Sequence, residues 1–477
     1  HKDVTPRLEL QSKSPKLVTL EEAIRRSGLR DGMTISFHHH FREGDLVVCM
    51  VMEEIHKMGI KNVTLSASSL GKAHDALVPM IEDGTIVNIE SSGVRGKIGD
   101  AISHGKLKGL ATMRSHGGRV RAIETGETHV DIAFIGAPSC DEYGNCTVHR
   151  EIGPLDVTAM AQACKNSGGK VIVQVEKIVQ GGSLDPKLVA IPGIYVDSVV
   201  VGTEEENMQC LGMPYDGALT GEFRIPVDAI PPIPMDAKKI IARRAAMELP
   251  QDAIVNLGTG APEKIANVAA EEGISDKMTL TVEAGSIAGV PYGGTQFGAA
   301  ANAMCIIPHN VQFDFYQGGG LDVAFLGLAE TAPNGDLNVS KFGTRLAGAG
   351  GFIDITQNAK KVVYCGTFTA KGLKTECKDG KLVITQEGAK KKFVNKVEQI
   401  TFSGDYANKV HQPVLYITER AVFELRPEGV TLVEIAPGID LQTQVLDQME
   451  FMPKIADDLK LMDERIFREE LMGLAND

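Results

Sequence analysis

Residues 278–291 read Met-Thr-Leu-Thr-Val-Glu-Ala-Gly-Ser-Ile-Ala-Gly-Val-Pro and set one carboxylate, Glu283, at the end of a short apolar run. The run containing Leu280 and Val282 reads as a strand, and Gly285 and Gly289 after it allow backbone to come close to a ligand. A carboxylate on the lip of such a loop is placed to meet a bound molecule. A solvated carboxylate at a strand end has the same local signature, so the rest of the chain must separate the two.

Three glycine clusters follow the same logic: Gly258-Thr259-Gly260, Gly318-Gly319-Gly320 and Gly348-Ala349-Gly350-Gly351. The first precedes a helix expected from Pro262, so its amides and the helix N-terminus suit an anion such as a phosphate, although a tight strand-to-helix turn needs the same glycines. There is no third glycine at Rossmann spacing and no Lys-Ser/Thr of a P-loop, which excludes ordinary NAD and ATP sites. His38, His39 and His40 are consecutive, and on a strand neighbours point to opposite faces, so no metal site is expected there. Cys140, Cys146 and His149 bracket Asp-Glu-Tyr-Gly-Asn, which reads as a hairpin turn rather than a zinc knuckle.

The elements that must position these groups belong to a chain of 477 residues, long enough for two domains. Its hydrophobic content of 43% fits a globular protein, and no run of about 20 apolar residues or signal-peptide core is present. The chain begins at His1, so the expectation is that residues precede it in the gene product. Eight cysteines without framework spacing read as reduced thiols of a cytoplasmic protein. A net charge of −13 argues against a nucleic-acid partner.

The two halves echo one another. Asp131-Ile-Ala-Phe-Ile-Gly136 with Gly144-Asn-Cys-Thr-Val matches Asp322-Val-Ala-Phe-Leu-Gly327 with Gly335-Asp-Leu-Asn-Val, 191 residues later. Gly169-Lys-Val-Ile-Val recurs as Lys360-Lys-Val-Val-Tyr at the same offset, and Asp31-Gly-Met-Thr-Ile-Ser is echoed by Asp252-Ala-Ile-Val-Asn-Leu. The reading is an α/β chain of two related tandem domains, 1–223 and 237–477, joined by a proline-rich linker at 224–236, with the active site between them. Apolar strands (130–135, 171–175, 199–201, 254–257, 323–328, 362–364) alternate with helices (45–58, 151–167, 237–247, 262–272), which predicts mainly parallel sheets covered on both faces. In such sheets ligands bind beyond the carboxyl ends of strands, where Glu283 falls.

Asn256-Leu-Gly-Thr-Gly-Ala-Pro, Val282-Glu-Ala-Gly-Ser-Ile-Ala-Gly, Gly318-Gly-Gly-Leu-Asp, Gly348-Ala-Gly-Gly-Phe-Ile-Asp, Ile417-Thr-Glu-Arg-Ala-Val-Phe and Ala436-Pro-Gly-Ile-Asp-Leu resemble the family I coenzyme A transferases of the fused propionate and acetate type. This resemblance covers roughly residues 129–477. The first 125 residues, with Asp31-Gly-Met-Thr-Ile-Ser-Phe-His-His-His, Ser91-Ser-Gly-Val-Arg and Arg114-Ser-His-Gly-Gly-Arg, are more similar to the citrate lyase α-chain.

The resemblance implies a homo-oligomeric enzyme acting on acyl-CoA and a carboxylic acid, with coenzyme A as the carried group and no metal or NAD. It implies Glu283 as the nucleophile that forms a glutamyl-CoA thioester in ping-pong exchange, despite Ala284 for the usual Ser and Ala288 for a Gly. It also implies oxyanion donors at Gly350 and Gly351, with CoA bound around Gly258, Thr259, Gly260, Ala261 and Gly348. Ser92-Gly93 stands where a Gln-Gly pair reaches the site, so Ser92, His39 and Arg119, with Arg42, Arg114 and His116 nearby, are candidates to bind the acid. Acetyl-CoA is the expected donor. The alternatives are a transferase for a polar di- or tricarboxylic acid, an acyl-CoA hydrolase, and a non-catalytic ligand sensor of the same fold.

Overall fold

Runs of consecutive aliphatic residues are stable as strands only where both sheet faces are covered, and each half of the chain builds one such sheet. The computed structural model describes residues 15–39, 44–203, 215–226, 232–293 and 297–476. His40, Arg42 and Cys210 lie outside the described residues, as does the middle of the proline-rich segment.

The first sheet contains β1 (Thr34–His38), β2 (Val63–Ala67), β3 (Ile86–Ser91), β4 (Ala111–Met113), β5 (Ile132–Asp141), β6 (Cys146–Thr147), β7 (Lys170–Val179), β8 (Val189–Ile191) and β9 (Ser198–Val201). The order β4-β3-β2-β1-β5-β7-β9 is parallel throughout. The short β6 and β8 attach antiparallel near the end of β5. Alternate residues of β5 face opposite cores: Ile132 and Phe134 pack with Ile35 and Leu65, while Ala133 and Ile135 pack with Val171 and Met160.

The second sheet contains β10 (Ala253–Leu257), β11 (Met278–Thr281), β12 (Ser286–Ile287), β13 (Cys305–Ile306), β14 (Val323–Gly327), β15 (Val362–Cys365), β16 (Val414–Ile417), β17 (Ala421–Arg426), β18 (Gly429–Ile435) and β19 (Lys454–Leu461). They lie in chain-neighbour order β13-β12-β11-β10-β14-β15-β16-β17-β18-β19. Only the centre, β11-β10-β14-β15-β16, is continuously parallel. The flanking pairs β13-β12-β11 and β16-β17-β18 are antiparallel, the latter because the connections 418–420 and 427–428 are too short for a parallel crossover, and β19 adds to β18 in parallel. The second sheet is therefore mixed, with a parallel centre.

The duplication is visible in the hydrogen bonds. Ala133 pairs with Val171 and Ala324 with Val362, both 191 residues apart in the two halves. Asp131 accepts from the Thr34 amide and Asp322 from the Ile254 amide, each at 2.8 Å. That pairing makes Thr34 equivalent to Ile254, so the Asp31/Asp252 echo is out of register by one residue. On a strand, one residue is the difference between the two faces.

Four helices and one short turn of helix frame the site: α1 (His116–Glu124), α2 (Val157–Asn166), α3 (Lys264–Glu271), α4 (His309–Gln317) and α5 (Phe352–Thr356). Helix α2 starts six residues later than the sequence pattern suggests. Pro154 bars its own predecessor from helix, and Leu155 takes a left-handed φ of 52°.

Residues of the second half reach across onto the first. Val94 donates to Ala347 O (3.0 Å), Gly350 to Ser92 O (2.9 Å) and His116 to Gly350 O (2.8 Å), while the Leu346 amide donates to Ser103 Oγ (2.9 Å). Asp354 of α5 accepts from Ser115 Oγ (2.8 Å) and the Gly117 amide (3.0 Å) at the start of α1. Burial pushes its carboxyl above the ordinary value against these donors.

A second junction is ionic. The buried Asp156 lies 3.3 Å from His38 Nδ1, 3.7 Å from Arg119 Nη1 and 3.4 Å from His309 Nε2 of the second half. Burial alone would raise the Asp156 carboxyl, but the surrounding His38 and His309 hold it well below the carboxylate range. Burial pushes His38 down, which fits a neutral ring bonded through Nδ1 to Asp156 and through Nε2 to Ser36 Oγ at 2.8 Å.

Asp156→Asn should lower unfolding free energy by about 3–5 kcal/mol, because Arg119 is left buried without its counter-charge. The difference from wild type should be full above the ordinary carboxylate pKa and vanish as pH falls through the depressed value of folded Asp156. Denaturant melts at a series of pH values measure both.

Candidate active site

The nucleophile candidate is delivered by a turn. β11 ends at Thr281, Val282 N donates to Ser286 O (2.8 Å) and Gly285 N donates back to Val282 O (2.9 Å), so half-buried Glu283 is the second residue of the four-residue reversal 282–285. Gly285 has φ 116°, and a Cβ there would run into the Ile307 carbonyl. Ala288, where the family pattern has Gly, sits at φ 59°. That conformation costs a non-glycine residue on the order of 1 kcal/mol or more. The carbonyl of Ala284 is pressed against Gly153 of the first half, where a side chain would have no room.

Opposite the turn lies Gly351, the residue before α5. A Cβ on Gly351 would overlap Glu283 Oε2 and come within 3.2 Å of the Phe313 ring. The carboxylate therefore rests on backbone that only glycine provides. Phe313 stands between His116 and His309, with ring centroids 5.9 and 5.5 Å away. Around Glu283 the wall is thus aromatic on one side and main chain on the other.

Glu283 and Gly351 line a cavity of about 350 Å³ within the second half. Asn256, Leu257, Gly258 and Thr259 enclose one end, and Pro291, Tyr292 and Phe297 form another wall with Leu326 and Phe352. The cavity's charged residues besides Glu283 are Glu263 and Lys264, and they lie 3.4 Å from one another. The walls are largely apolar, which favours exclusion of water from the carboxylate.

The structure brings together some of the residues singled out by sequence and separates others. Gly258, Thr259, Glu283 and Gly351 share the cavity, whereas Gly260, Ala261, Gly348 and Gly350 do not line it. Gly258 lies against Leu326, where a Cβ would come within 3.0 Å of the side chain, so close packing already requires it. Helix α3 begins at Lys264, two residues after Pro262. Of the two expected oxyanion donors, the Gly350 amide is engaged by Ser92 O. Gly348 faces the same Ser92 carbonyl, so its glycine character serves the junction between the halves.

The acid-binding candidates are corrected more strongly. Ser92 is fully buried and meets the second half through its carbonyl. His39 Nε2 is bonded to Asp45 at 2.9 Å, and Asp45 also takes His74 Nε2 at 2.7 Å, so His39 belongs to the interior of the first half. Arg119, 1% exposed, is directed at Asp156 and at the carbonyls of Phe37 and Ser66. Arg114 pairs with Glu90 and Glu127, and Arg121 with Asp314. This basic cluster is neutralised by the protein's own carboxylates. Asn256, Lys264, Tyr292, Phe297 and Phe352 line the cavity without any spacing in the sequence that would have assigned them to it. Among the described residues no group of three His, Cys, Asp or Glu converges as a metal site.

Comparison with known proteins agrees with this geometry. A family model described as citrate lyase, alpha subunit (CitF), matches residues 14–209. The chain is 43% identical over 431 residues to caffeate CoA-transferase of Acetobacterium woodii, covering 85% of this chain and 82% of that protein. It is 42% identical over 416 residues to acetate CoA-transferase YdiF of Escherichia coli O157:H7, covering 87% and 76%. A crystal structure of that acyl-CoA transferase as a thioester complex with CoA superposes with a TM-score of 0.85 at 33% identity, over 96% of this chain and 97% of the other.

Gly351→Ala is expected to lower the melting temperature by no more than a few degrees, since the methyl group meets chiefly the end of the half-exposed Glu283 side chain and presses the buried Phe313 ring only at 3.2 Å. It should displace the Glu283 carboxylate by about 1 Å, a misplacement that lowers turnover on the order of a hundredfold. Paired melting and steady-state assays test the two together.

Proposed function

The chain belongs to the family I coenzyme A transferases, and on that premise we propose that it exchanges coenzyme A between an acyl-CoA and a free carboxylate by a ping-pong route through Glu283. The observation that carries this reading is the half-buried Glu283 carboxylate, laid on the Gly351 backbone at the wall of a largely apolar cavity.

In the first half-reaction a Glu283 oxygen attacks the thioester carbonyl of acyl-CoA, and the C–S bond breaks to give a mixed anhydride and CoA thiolate. The thiolate then attacks the glutamyl carbonyl, and the original acyl group leaves as its carboxylate. Glu283 is left as a CoA thioester. An acceptor carboxylate repeats these steps in reverse and restores Glu283, with no net uptake of water or protons. Each attack creates an oxyanion beside the Gly351 backbone, which lies against the carboxylate, and the Gly351 amide is the proposed donor to it. One such donor contributes about 3–4 kcal/mol to the barrier. The thioester complex of the similar YdiF supports the covalent route.

Acetyl-CoA or another short-chain acyl-CoA is the proposed donor, supported by the likeness to the acetate enzyme. A second reading, with a polar di- or tricarboxylic acid as acceptor, draws on the citrate lyase alpha match over residues 14–209. The neutralised state of Arg114, Arg119 and Arg121 weighs against it. The described cysteines are free thiols, in keeping with a cytoplasmic place of action.

Glu283→Ala should fold normally and retain under about one per cent of wild-type transfer, since an obligatory nucleophile is worth many powers of ten. Glu283→Asp should lose on the order of a hundredfold. Initial rates with both substrates varied should give parallel double-reciprocal lines, and mass spectrometry after acetyl-CoA treatment should find CoA on the peptide that contains Glu283. Intersecting lines without that adduct would replace the covalent route by direct transfer. In a panel of acceptors, acetate and propionate should exceed succinate and citrate in kcat/KM; the reverse order would favour the polar-acid reading.

A further inference from the structure

Beneath the Glu283 turn lies a buried hydrogen-bond network that the exchange chemistry itself does not require. Tyr316 Oη accepts from Asn256 Nδ2 (3.3 Å) and from Gln312 Nε2 (3.1 Å). It donates to Thr281 Oγ1 (2.9 Å), which donates in turn to Val255 O (2.8 Å). Asn256 Nδ2 also reaches Thr281 O (3.1 Å), and Gln312 Nε2 reaches Val282 O (3.3 Å). Gln312 and Tyr316 are fully buried, and Asn256 and Thr281 nearly so.

The directions of these bonds are determined by chemistry. Two amide nitrogens can only donate to the phenol oxygen, so the phenol proton must go to Thr281, and the Thr281 proton must go to the backbone. Burial raises the Tyr316 phenol far above its ordinary value, and the nearby Glu283 charge acts in the same direction, so the hydroxyl stays neutral. The Val282 carbonyl is the point of delivery. It takes the Gly285 amide that closes the turn and, on its other lone pair, Gln312 Nε2. The alternative orientation of the amide would put Gln312 Oε1 against that carbonyl oxygen.

Gln312 Oε1, in contrast, meets no donor among the described residues and is buried. A leucine or methionine would fill the same space without stranding a polar atom. What those residues cannot do is hold the carbonyl that precedes Glu283.

We infer that Gln312, oriented by Tyr316, is a positioning residue for the nucleophile, pinning the Val282 carbonyl so that Glu283 is held over Gly351. This rests on Glu283 as the attacking carboxylate. Without the pin the Val282 carbonyl retains only the Gly285 amide that closes the turn, and the carboxylate gains freedom at the scale of displacement that attack on a carbonyl does not tolerate.

The test measures single-turnover formation of the covalent CoA adduct from acetyl-CoA, with KM and melting temperature alongside. Gln312→Leu should slow adduct formation by about ten- to a hundredfold while the KM for acetyl-CoA changes less than about twofold. Gln312→Glu adds a readout that a packing role would not move. Protonated, its carboxyl can donate to Val282 O; ionised, it repels that carbonyl, so the variant's rate should fall with rising pH along a limb absent from wild type. Tyr316→Phe preserves the ring and decides the matter should Gln312→Leu fail to fold; it should slow adduct formation by about tenfold. Adduct rates within twofold of wild type in folded Gln312→Leu or Tyr316→Phe, or the absence of the new pH limb in Gln312→Glu, would overturn the inference and leave the nucleophile standing. An adduct that persists in Glu283→Ala would instead remove the nucleophile on which the inference rests.

Discussion

The contact on which the rest depends is the absence of a side chain at Gly351 beneath the Glu283 carboxylate. On the proposed route the carboxylate attacks and is then attacked, which calls for open approach on one side and a fixed floor on the other. Main chain supplies that floor, and any Cβ would occupy the carboxylate's place. The neighbouring Gly350 bonds to Ser92 O and to the His116 amide in the other half. The floor of the site and the seam of the molecule are thus one run of backbone.

That seam is reinforced by buried charge. Asp156 gathers His38, Arg119 and His309, and Asp354 caps the start of α1 from the opposite half. Buried ions are expensive to desolvate, and their value lies less in net stability than in the penalty for leaving one unpaired. A displaced second half would strand Asp354 from its donors and remove His309 from Asp156. Such an arrangement favours a single relation between the halves, which an apolar seam of equal area would define less sharply.

The duplicated sheets are put to different uses. β1, β2 and β5 of the first half correspond to β10, β11 and β14 of the second, down to the aspartates that tie adjacent strands. Beyond β11 the chain reverses into the Glu283 turn and adds antiparallel β12 and β13. Beyond β2 it runs on into the first-half core at Leu70 and Leu77. One copy keeps the strand end as a reactive edge, and the other converts its edge into the surface against which the strap of 346–351 docks.

Much of this was legible in residue order. The Glu283 turn, the apolar parallel strands and the duplication at 191 residues follow from local composition and spacing, while Gly350 and Gly351 were singled out by the family resemblance. What residue order left open was which side chains face one another. His39, Arg114 and Arg119 look like a waiting anion site until their partners, Asp45, Glu90, Glu127 and Asp156, are brought up from distant positions. Gly350 and Gly351 are equivalent on paper, and only the fold assigns the Gly350 amide to the seam and lays Gly351 against the Glu283 carboxylate. Gln312 and Tyr316 carry no mark in the chain at all, since a buried amide and phenol acquire meaning from the carbonyls and hydroxyls that folding sets within 3.3 Å of them. Local covalent and conformational rules therefore settled the scaffold and the nucleophile's perch, while neutralisation and orientation of polar groups, which depend on distances through space, were decided by the tertiary structure alone.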